Sequence, residues 1–461
     1  MASSSLGHPY QDKGLEEIIP QFMQQPKLSS ASLVQARRKS RFVPQGASEI
    51  NQSGPNSLNF IISDSSSFLD PNSTCLSGKF KSTDTASTPA APAGALLVDG
   101  IVSLFQRLRV YVGGVLLEDI NVLNTKELME VYTSMTQEHY NTQGSALALF
   151  HKFNPLYTKS DGAPCRKNNP AARKEAALRV QQAADGVYFS LPMSYISGFF
   201  RNEKAFPLLA AGQVQVTIDL VRGWEGFVSV GNPAQTPHWT LTDLTMEMDC
   251  LTMHPLYTQA LVSLIRAPGM GYTCPVTTHN VQQISIVGGD NSKSIAVPQA
   301  VNNLRQVSWV IQPTASLSLP DYDKSTFPIN TYEDAYITVG SHRFPESPAV
   351  GTARAYQITV DADNQLGSIN GAPIIDVENY CGATVTGSIG RDASCDAFVW
   401  SISLDKIKDT YVASDGISGA SLGGQIVLNV NNNVPVGGGT LTVVAETTRF
   451  LSLAEGRINV V

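Results

Sequence analysis

The sequence predicts an all-β protein built as two antiparallel sandwiches in tandem. Three observations carry this. The clearest is Val214 to Leu220 (VQVTIDL), where Val214, Val216, Ile218 and Leu220 alternate with polar residues, the period of a half-buried strand. Short strand-like runs then recur along the second half, separated by turn clusters and none followed by a long helix, which excludes a parallel α/β sheet. Finally, 461 residues exceed what one ordinary core organises, so at least two domains are expected.

From the N-terminus, residues 1–45 show no sustained period and read as an arm, ordered only when docked. Leu15 to Gln24 could form a short amphipathic helix. Arg37, Arg38, Lys39 and Arg41 form the only basic cluster, a candidate contact with a genome or an anionic membrane, against the plainer reading of a solvated tail. The first sandwich is placed at 46–255. Leu58 to Ile62 and Cys75 to Phe80 read as strands on either side of the turn-rich SDSSSFLDPNST, and residues 81–94 read as a Pro/Ala/Ser/Thr loop. Arg107 to Ile120 is a hairpin whose Gly113-Gly114 supplies two positive-φ positions.

Two helices interrupt the strands. One starts at Asn124 or Thr125 and runs to about Glu138, with Glu127 spaced for a capping box; the other spans 170–185 behind an Asn-Pro start. Val187 to Leu191 is a short strand stopped by Pro192, and Met193 to Phe200 suits one or two helical turns. Trp239 to Leu251 alternates again. The second sandwich, 256–461, has strands at Gln283–Val287, Ile295–Val297, Val307–Gln312, Ala335–Val339, Tyr356–Val360, Phe398–Leu404, Gln425–Val430 and Leu441–Ala445.

Charged residues make up 15% of the chain, against roughly 25% in an average soluble domain. So little charge fits either a surface covered by other subunits or a turn-rich β protein. The net charge of −7 argues against a whole-surface nucleic-acid binder. No basic-then-apolar leader and no run of 18 apolar residues is visible, so neither secretion nor a membrane span is expected. Six scattered cysteines (Cys75, Cys165, Cys250, Cys274, Cys381, Cys395) lack a CxxC pair and read as reduced thiols of an intracellular protein.

Motifs for chemistry are weak. Gly419 to Gly423 matches GxSxG, but a strand follows it where the nucleophile elbow needs a helix, and no histidine occurs after His342. Asp361 to Asn364 and the Asp321/Asp323 pair read as solvated turns. The seven histidines never stand at ligand spacing, and phosphate-loop and zincin motifs are missing. No catalytic, metal or cofactor site is expected.

The stretch Tyr188-Phe189-Ser190-Leu191-Pro192, Phe206-Pro207-Leu208-Leu209 and Val214 to Leu220 resembles the end of the first jelly roll in the double jelly-roll major capsid proteins of tailless icosahedral DNA viruses. Trp239 to Leu251 looks like the strand that closes that domain. Leu304 to Gln312, Ala335 to Pro345, Phe398 to Leu404 and Ser414 to Gly419 are similar to segments of polinton-like, virophage and adintovirus capsid proteins. The resemblance covers most of 55–461; the chain departs from the family in being short, so capsomer towers should be modest.

The resemblance implies two eight-stranded jelly rolls, a trimer forming a pseudo-hexagonal block in an icosahedral virion, and an arm beneath it. It also implies contacts with neighbouring capsomers, penton and minor capsid proteins, and a possible inner membrane or genome contact, without a small-molecule substrate. The alternatives are a single-jelly-roll capsid protein with a projecting domain, which should carry a strongly basic arm, and a β-sandwich carbohydrate-binding protein.

Overall fold

The computed structural model describes residues 33–46, 49–54, 56–84, 95–97, 100–144, 186–222, 227–229, 237–267, 270–288, 292–297, 303–317, 332–363, 397–405, 426–431 and 438–460, with a few single residues between them. The 170–185 helix, the GxSxG motif, Asp321 and Asp323, Cys165, Cys381 and Cys395 lie outside them.

The first half contributes β1 (Val34–Phe42), β2 (Ile50–Asn51), β3 (Ser57–Ile62), β4 (Phe68–Asp84), β5 (Ala95–Leu97), β6 (Phe105–Val112), β7 (Val115–Asn121), helix α1 (Leu123–Ser134), β8 (Val187–Pro192), β9 (Val214–Leu220), β10 (Phe227–Ser229) and β11 (Pro237–Met253). Helix α2 (Pro255–Arg266) follows. The second half contributes β12 (Gly271–Ile286), β13 (Ser292–Val297), β14 (Leu304–Pro313), β15 (Asp334–Val339), β16 (His342–Phe344), helix α3 (Thr352–Ala362), β17 (Trp400–Ser403), β18 (Ile426–Asn431), β19 (Gly439–Ala454) and β20 (Arg457–Val460).

Strand order shows the architecture. Setting aside the short β2, β5, β10 and β20, each half has eight main strands in two antiparallel sheets. One sheet runs β1-β11-β4-β8 in the first half and β12-β19-β14-β17 in the second; in both, this is the order first, eighth, third, sixth. The other runs β3-β9-β6-β7 and β13-β18-β15-β16, the order second, seventh, fourth, fifth. That order is the Greek-key winding of a jelly roll, made twice. Among the described residues no strand pairs across from 34–253 to 271–460. The all-β class and the double jelly roll are therefore present.

The alternation that predicts β9 places it inside a sheet, between β3 and β6, with Val214, Val216, Ile218 and Leu220 all buried. Gly113 (φ 54°) and Gly114 (φ 85°) make the β6–β7 turn, with Val112 opposite Val115. The second core centres on Trp309, stacked on Trp400 at 5.9 Å between ring centroids and edge-on to Phe398.

Four expectations need correcting. Residues 34–42, assigned to the arm, form β1, the first strand of the first roll, paired along its length with β11. Its sequence VQARRKSRF shows no apolar alternation because an edge strand is held by backbone hydrogen bonds and most of its side chains face solvent. Strand β4 starts at Phe68, inside the stretch read as a turn-rich loop. Tyr356 to Val360, read as a strand, lies in α3: Ala355, Thr359 and Ala362 recur at helical spacing on its buried face, and the Thr359 hydroxyl accepts from Ser401 N at 3.0 Å, docking the helix on β17. Helix α1 starts at Leu123 behind Val122 in the left-handed region (φ 50°), and no capping box forms, because the Glu127 carboxylate accepts from Lys126 instead. Helix α2 was not anticipated, although Pro255 at its first turn and the His254 Nδ1, which accepts from Leu256 N at 3.3 Å, are recognisable start signals.

Replacing Ile218 by Ala removes a fully buried side chain from the middle of a sheet. It should lower unfolding stability by about 2–5 kcal/mol, read as a lower urea midpoint with an unchanged slope.

Candidate functional site: the seam between the rolls

Strand β19 explains why the rolls dock. Leu441, Thr442, Val443, Val444 and Ala445 are buried in succession, so both faces of this strand are covered. One face meets the β13–β18–β15–β16 sheet. Elements of the first roll lie against the outer face of the β12–β19–β14–β17 sheet, as the contacts from Gly198, Leu117 and Asn202 establish.

The closest approach is backbone to backbone. A Cβ placed on Gly198 would lie 1.5 Å from the Thr277 carbonyl oxygen of β12, so no other residue fits there without moving the rolls apart. At the tip of the β6–β7 hairpin, a Cβ on Gly113 would lie 2.0 Å from Ile458 Cδ1 of β20. Arg449 Nη1 of β19 donates to the Leu117 carbonyl at 2.9 Å. Asn202 Nδ2 donates to Cys274 Sγ at 2.7 Å and to the Pro275 carbonyl at 3.1 Å, and the Phe206 ring stands edge-on to Tyr272.

Between these contacts lies a buried ionic network. Glu118 on β7 is fully buried and accepts from the Ser197 hydroxyl, from Gly198 N at 2.9 Å and from Phe199 N at 3.4 Å. Lys126, at the start of α1 with its side chain 1% exposed, donates to Glu127 Oε1 at 2.7 Å and also pairs with Glu130. Arg201 closes on the other oxygen of Glu130. On the second roll, His279 of β12 lies 3.6 Å from Glu446 of β19. Arg305 reaches Glu446 at 3.5 Å and Asp405 at 3.0 Å. Gln306 donates to Asp363, just past α3, at 3.0 Å. Of these groups, Lys126, Glu130 and Arg201 from the first roll and His279, Asp363 and Glu446 from the second line a shared cavity of about 170 Å³. A second cleft of about 480 Å³ opens on the other side of Glu130 and Arg201, where His139 Nε2 and the Tyr195 hydroxyl lie 2.7 Å apart.

Burial divides the carboxyls into two sets. Glu127 is pushed up to about 7 by burial, against the pull of Lys126, and Asp363 to about 6 by the same cause. Burial raises Glu118 as well. Glu130 goes the other way: burial would raise it, but Arg201 and Lys126 hold it well below the usual carboxylate range. Glu446 is likewise held down by His279 and Arg305 despite its burial. Burial and the Lys126 charge lower His279, which favours its neutral form.

The four basic residues expected to make inner-surface contacts lie elsewhere, on β1. Arg37 donates to Asp249 through Nε at 2.7 Å and lies 3.5 Å from Asp70; Arg38 pairs with Asp64 at 2.9 Å and Arg41 with Glu247 at 2.8 Å. Lys39 is exposed. Three of the four charges are thus matched by carboxylates of the same roll.

Sequence reading did not single out the seam, whose groups are spread from Glu118 to Glu446. Two local signals were available: Glu118 in the otherwise apolar side of VLLEDI, and Lys126 with Glu130 one helical turn apart. Among the described residues, no group of three or more His, Cys, Asp or Glu is placed to hold a metal. No helix among them is long and apolar enough to cross a membrane.

No family model and no curated protein matches the chain. Solved structures do. The chain is similar to the Sputnik virophage structure determined by cryo-EM (TM-score 0.59, 12% identity, 100% of this chain and 93% of that one). It is similar to the Faustovirus major capsid protein (0.55, 8%, 91% of each) and to a chain of the PBCV-1 virus capsid (0.55, 11%, 94% and 98%). At such identities the shared property is the fold, and it is the double jelly roll of viral capsid proteins, matched over almost the whole length.

Gly198→Ala should separate the rolls without disturbing either core. The expected outcome is a lower melting temperature and new proteolytic cleavage in the 254–270 connection, checked by limited proteolysis with mass spectrometry.

Proposed function

We propose that this chain is the major capsid protein of an icosahedral virus, a structural subunit and not an enzyme, three copies of which form a pseudo-hexagonal capsomer. The observation that carries the reading is the repeated eight-strand order joined by a backbone-tight seam. Two rolls held rigidly side by side give one chain two pseudo-equivalent edges, so three chains supply the six edges of a hexagonal tile. The low charge content fits lateral surfaces covered by neighbouring copies. A single roll with a projecting domain is at odds with the second roll at 271–460.

The test is assembly. Recombinant protein should elute at three times 49.5 kDa by light scattering and show hexagonal blocks or shells in negative stain. A monomer at every concentration and salt tried would overturn the reading.

The proposal extends to location and partners: the virion, with neighbouring capsomers, penton and minor capsid proteins, and the β1 strand facing the shell interior. Because Arg37, Arg38 and Arg41 already have carboxylate partners, Lys39 is the strand's available charge for a genome or an anionic inner membrane. Replacing all four basic residues by Gln should leave trimer formation intact, since β1 pairs through its backbone. Lys39→Gln alone should weaken binding to vesicles of anionic lipid, measured by flotation, by about fivefold, the loss of about 1 kcal/mol for one surface charge.

A further inference from the structure

Each roll carries part of the network into the seam. The first brings Glu118 from β7, Lys126, Glu127 and Glu130 from α1, and Arg201 from the turn after β8. The second brings His279 from β12, Arg305 from β14, Asp363 from the end of α3, Asp405 following β17, and Glu446 from β19. At the edge of the seam, the half-buried Arg449 donates to the Leu117 carbonyl. Six carboxyls therefore face three linked cations, Lys126, Arg201 and Arg305. With every carboxyl ionised, three negative charges are left over in a mostly buried cluster, where unpaired charge is disfavoured. His279 reaches Glu446 through Nε2, and its Nδ1 is buried with no hydrogen-bond partner among the described residues, so a proton arriving there meets no acceptor and lies near Lys126.

We propose that the seam is a proton-dependent latch, which closes with protons held on its surplus carboxyls and loosens when alkali removes them.

The balance of charge identifies the carriers. Glu130, Glu446 and Asp405 each touch a cation directly. Asp363 faces the Gln306 amide, and Glu127 shares Lys126 with Glu130. Glu118 faces a hydroxyl and two backbone N–H groups. Glu118 and Asp363, which pair with no cation among the described residues, are pushed upward by burial, Asp363 to about 6, and Glu127 is pushed up to about 7 despite its pairing with Lys126. A carboxyl raised in the closed state takes up a proton on closing. Its contribution is therefore full below the ordinary carboxylate range and is lost as pH rises through about 6 and 7. His279 acts oppositely: held below its usual value, it gives up a proton on closing and weakens the seam as pH falls below 6.5. Glu130 and Glu446, held low by their cations, weaken it only in stronger acid. The latch is tightest in mild acid and slackens on the alkaline side.

Hydrogen exchange of the whole chain, corrected for the chemical exchange rate at each pH, reads the latch directly through peptides covering 110–135, 194–202 and 271–286. The Gly198 and Phe199 amides, donated to Glu118, lie in the second of these. Protection there should fall about tenfold between pH 6 and pH 9, the change that one group near 7 produces over that range, while β3 and β9 inside the first roll keep theirs. Glu127→Gln with Asp363→Asn should reduce the fall to less than about twofold, and Glu127→Gln alone should remove most of it if the double variant does not fold. Exposed Glu203→Gln should leave it unchanged. Wild-type protection that stays constant from pH 6 to 9, or a loss equally large in the Glu127 variants, overturns the proposal. The measurement needs only the folded chain, so its result is independent of whether three copies assemble.

Discussion

Everything that makes this chain one block depends on the place where the Thr277 carbonyl meets the Cα of Gly198. A hydrogen atom is the largest side chain that fits there, and the surrounding polar groups are positioned by that approach. Glu118 receives its donors from Ser197, Gly198 and Phe199, the same three residues whose path is set against β12. Taking a charge out of water costs several kcal/mol, and the cost is offset only where partners meet it with good geometry. Lys126 with Glu127 and Glu130, and Arg305 with Glu446 and Asp405, are such groups. A seam built this way tolerates little sliding, because a shift would drive the Thr277 carbonyl into Gly198 or break the Arg449–Leu117 and Asn202–Pro275 hydrogen bonds. The apolar contacts alone would be more forgiving.

The first roll closes by a different means. Strand β1 has almost no buried side chain, yet it supplies the edge that covers β11. Its side-chain contribution is a set of pairs from Arg37, Arg38 and Arg41 to Asp249, Asp64 and Glu247, exposed to solvent and therefore weak one by one. Their placement suits an edge strand, since charge along an unpaired margin discourages the addition of further strands. The residues that resembled a binding arm are, in this fold, the margin of a sheet.

Much of the architecture was legible locally. The alternation in β9, the Gly113-Gly114 turn, the Pro192 stop and most strands of the second half could be read from neighbours in sequence, because side-chain direction in a strand has a period of two. The failures share one cause. At 356–360 the β-branched residues of YQITV favour a strand, but the face that Ala355, Thr359 and Ala362 bury against β17 favours a helix. At 34–42 no pattern existed, because an edge strand is specified by its neighbour. The second half of β4 was recognised and the first half was not, since Asp70, Pro71 and Asn72 carry turn chemistry, and the ladder with β11 takes up Phe68, Leu69 and Asp70 but skips 71–74 before resuming at Cys75.

The amino-acid order by itself determined the β class, the tandem plan and most strand positions, because hydrophobic period and turn chemistry act over a few residues. Tertiary structure alone decided that β1 is the first strand of the first roll, which face of β19 meets the other roll, and which charged residues share a cavity. Those outcomes depend on groups up to a few hundred residues apart being brought within a few ångströms, and the energy of a buried charge is set by the partners it finds there.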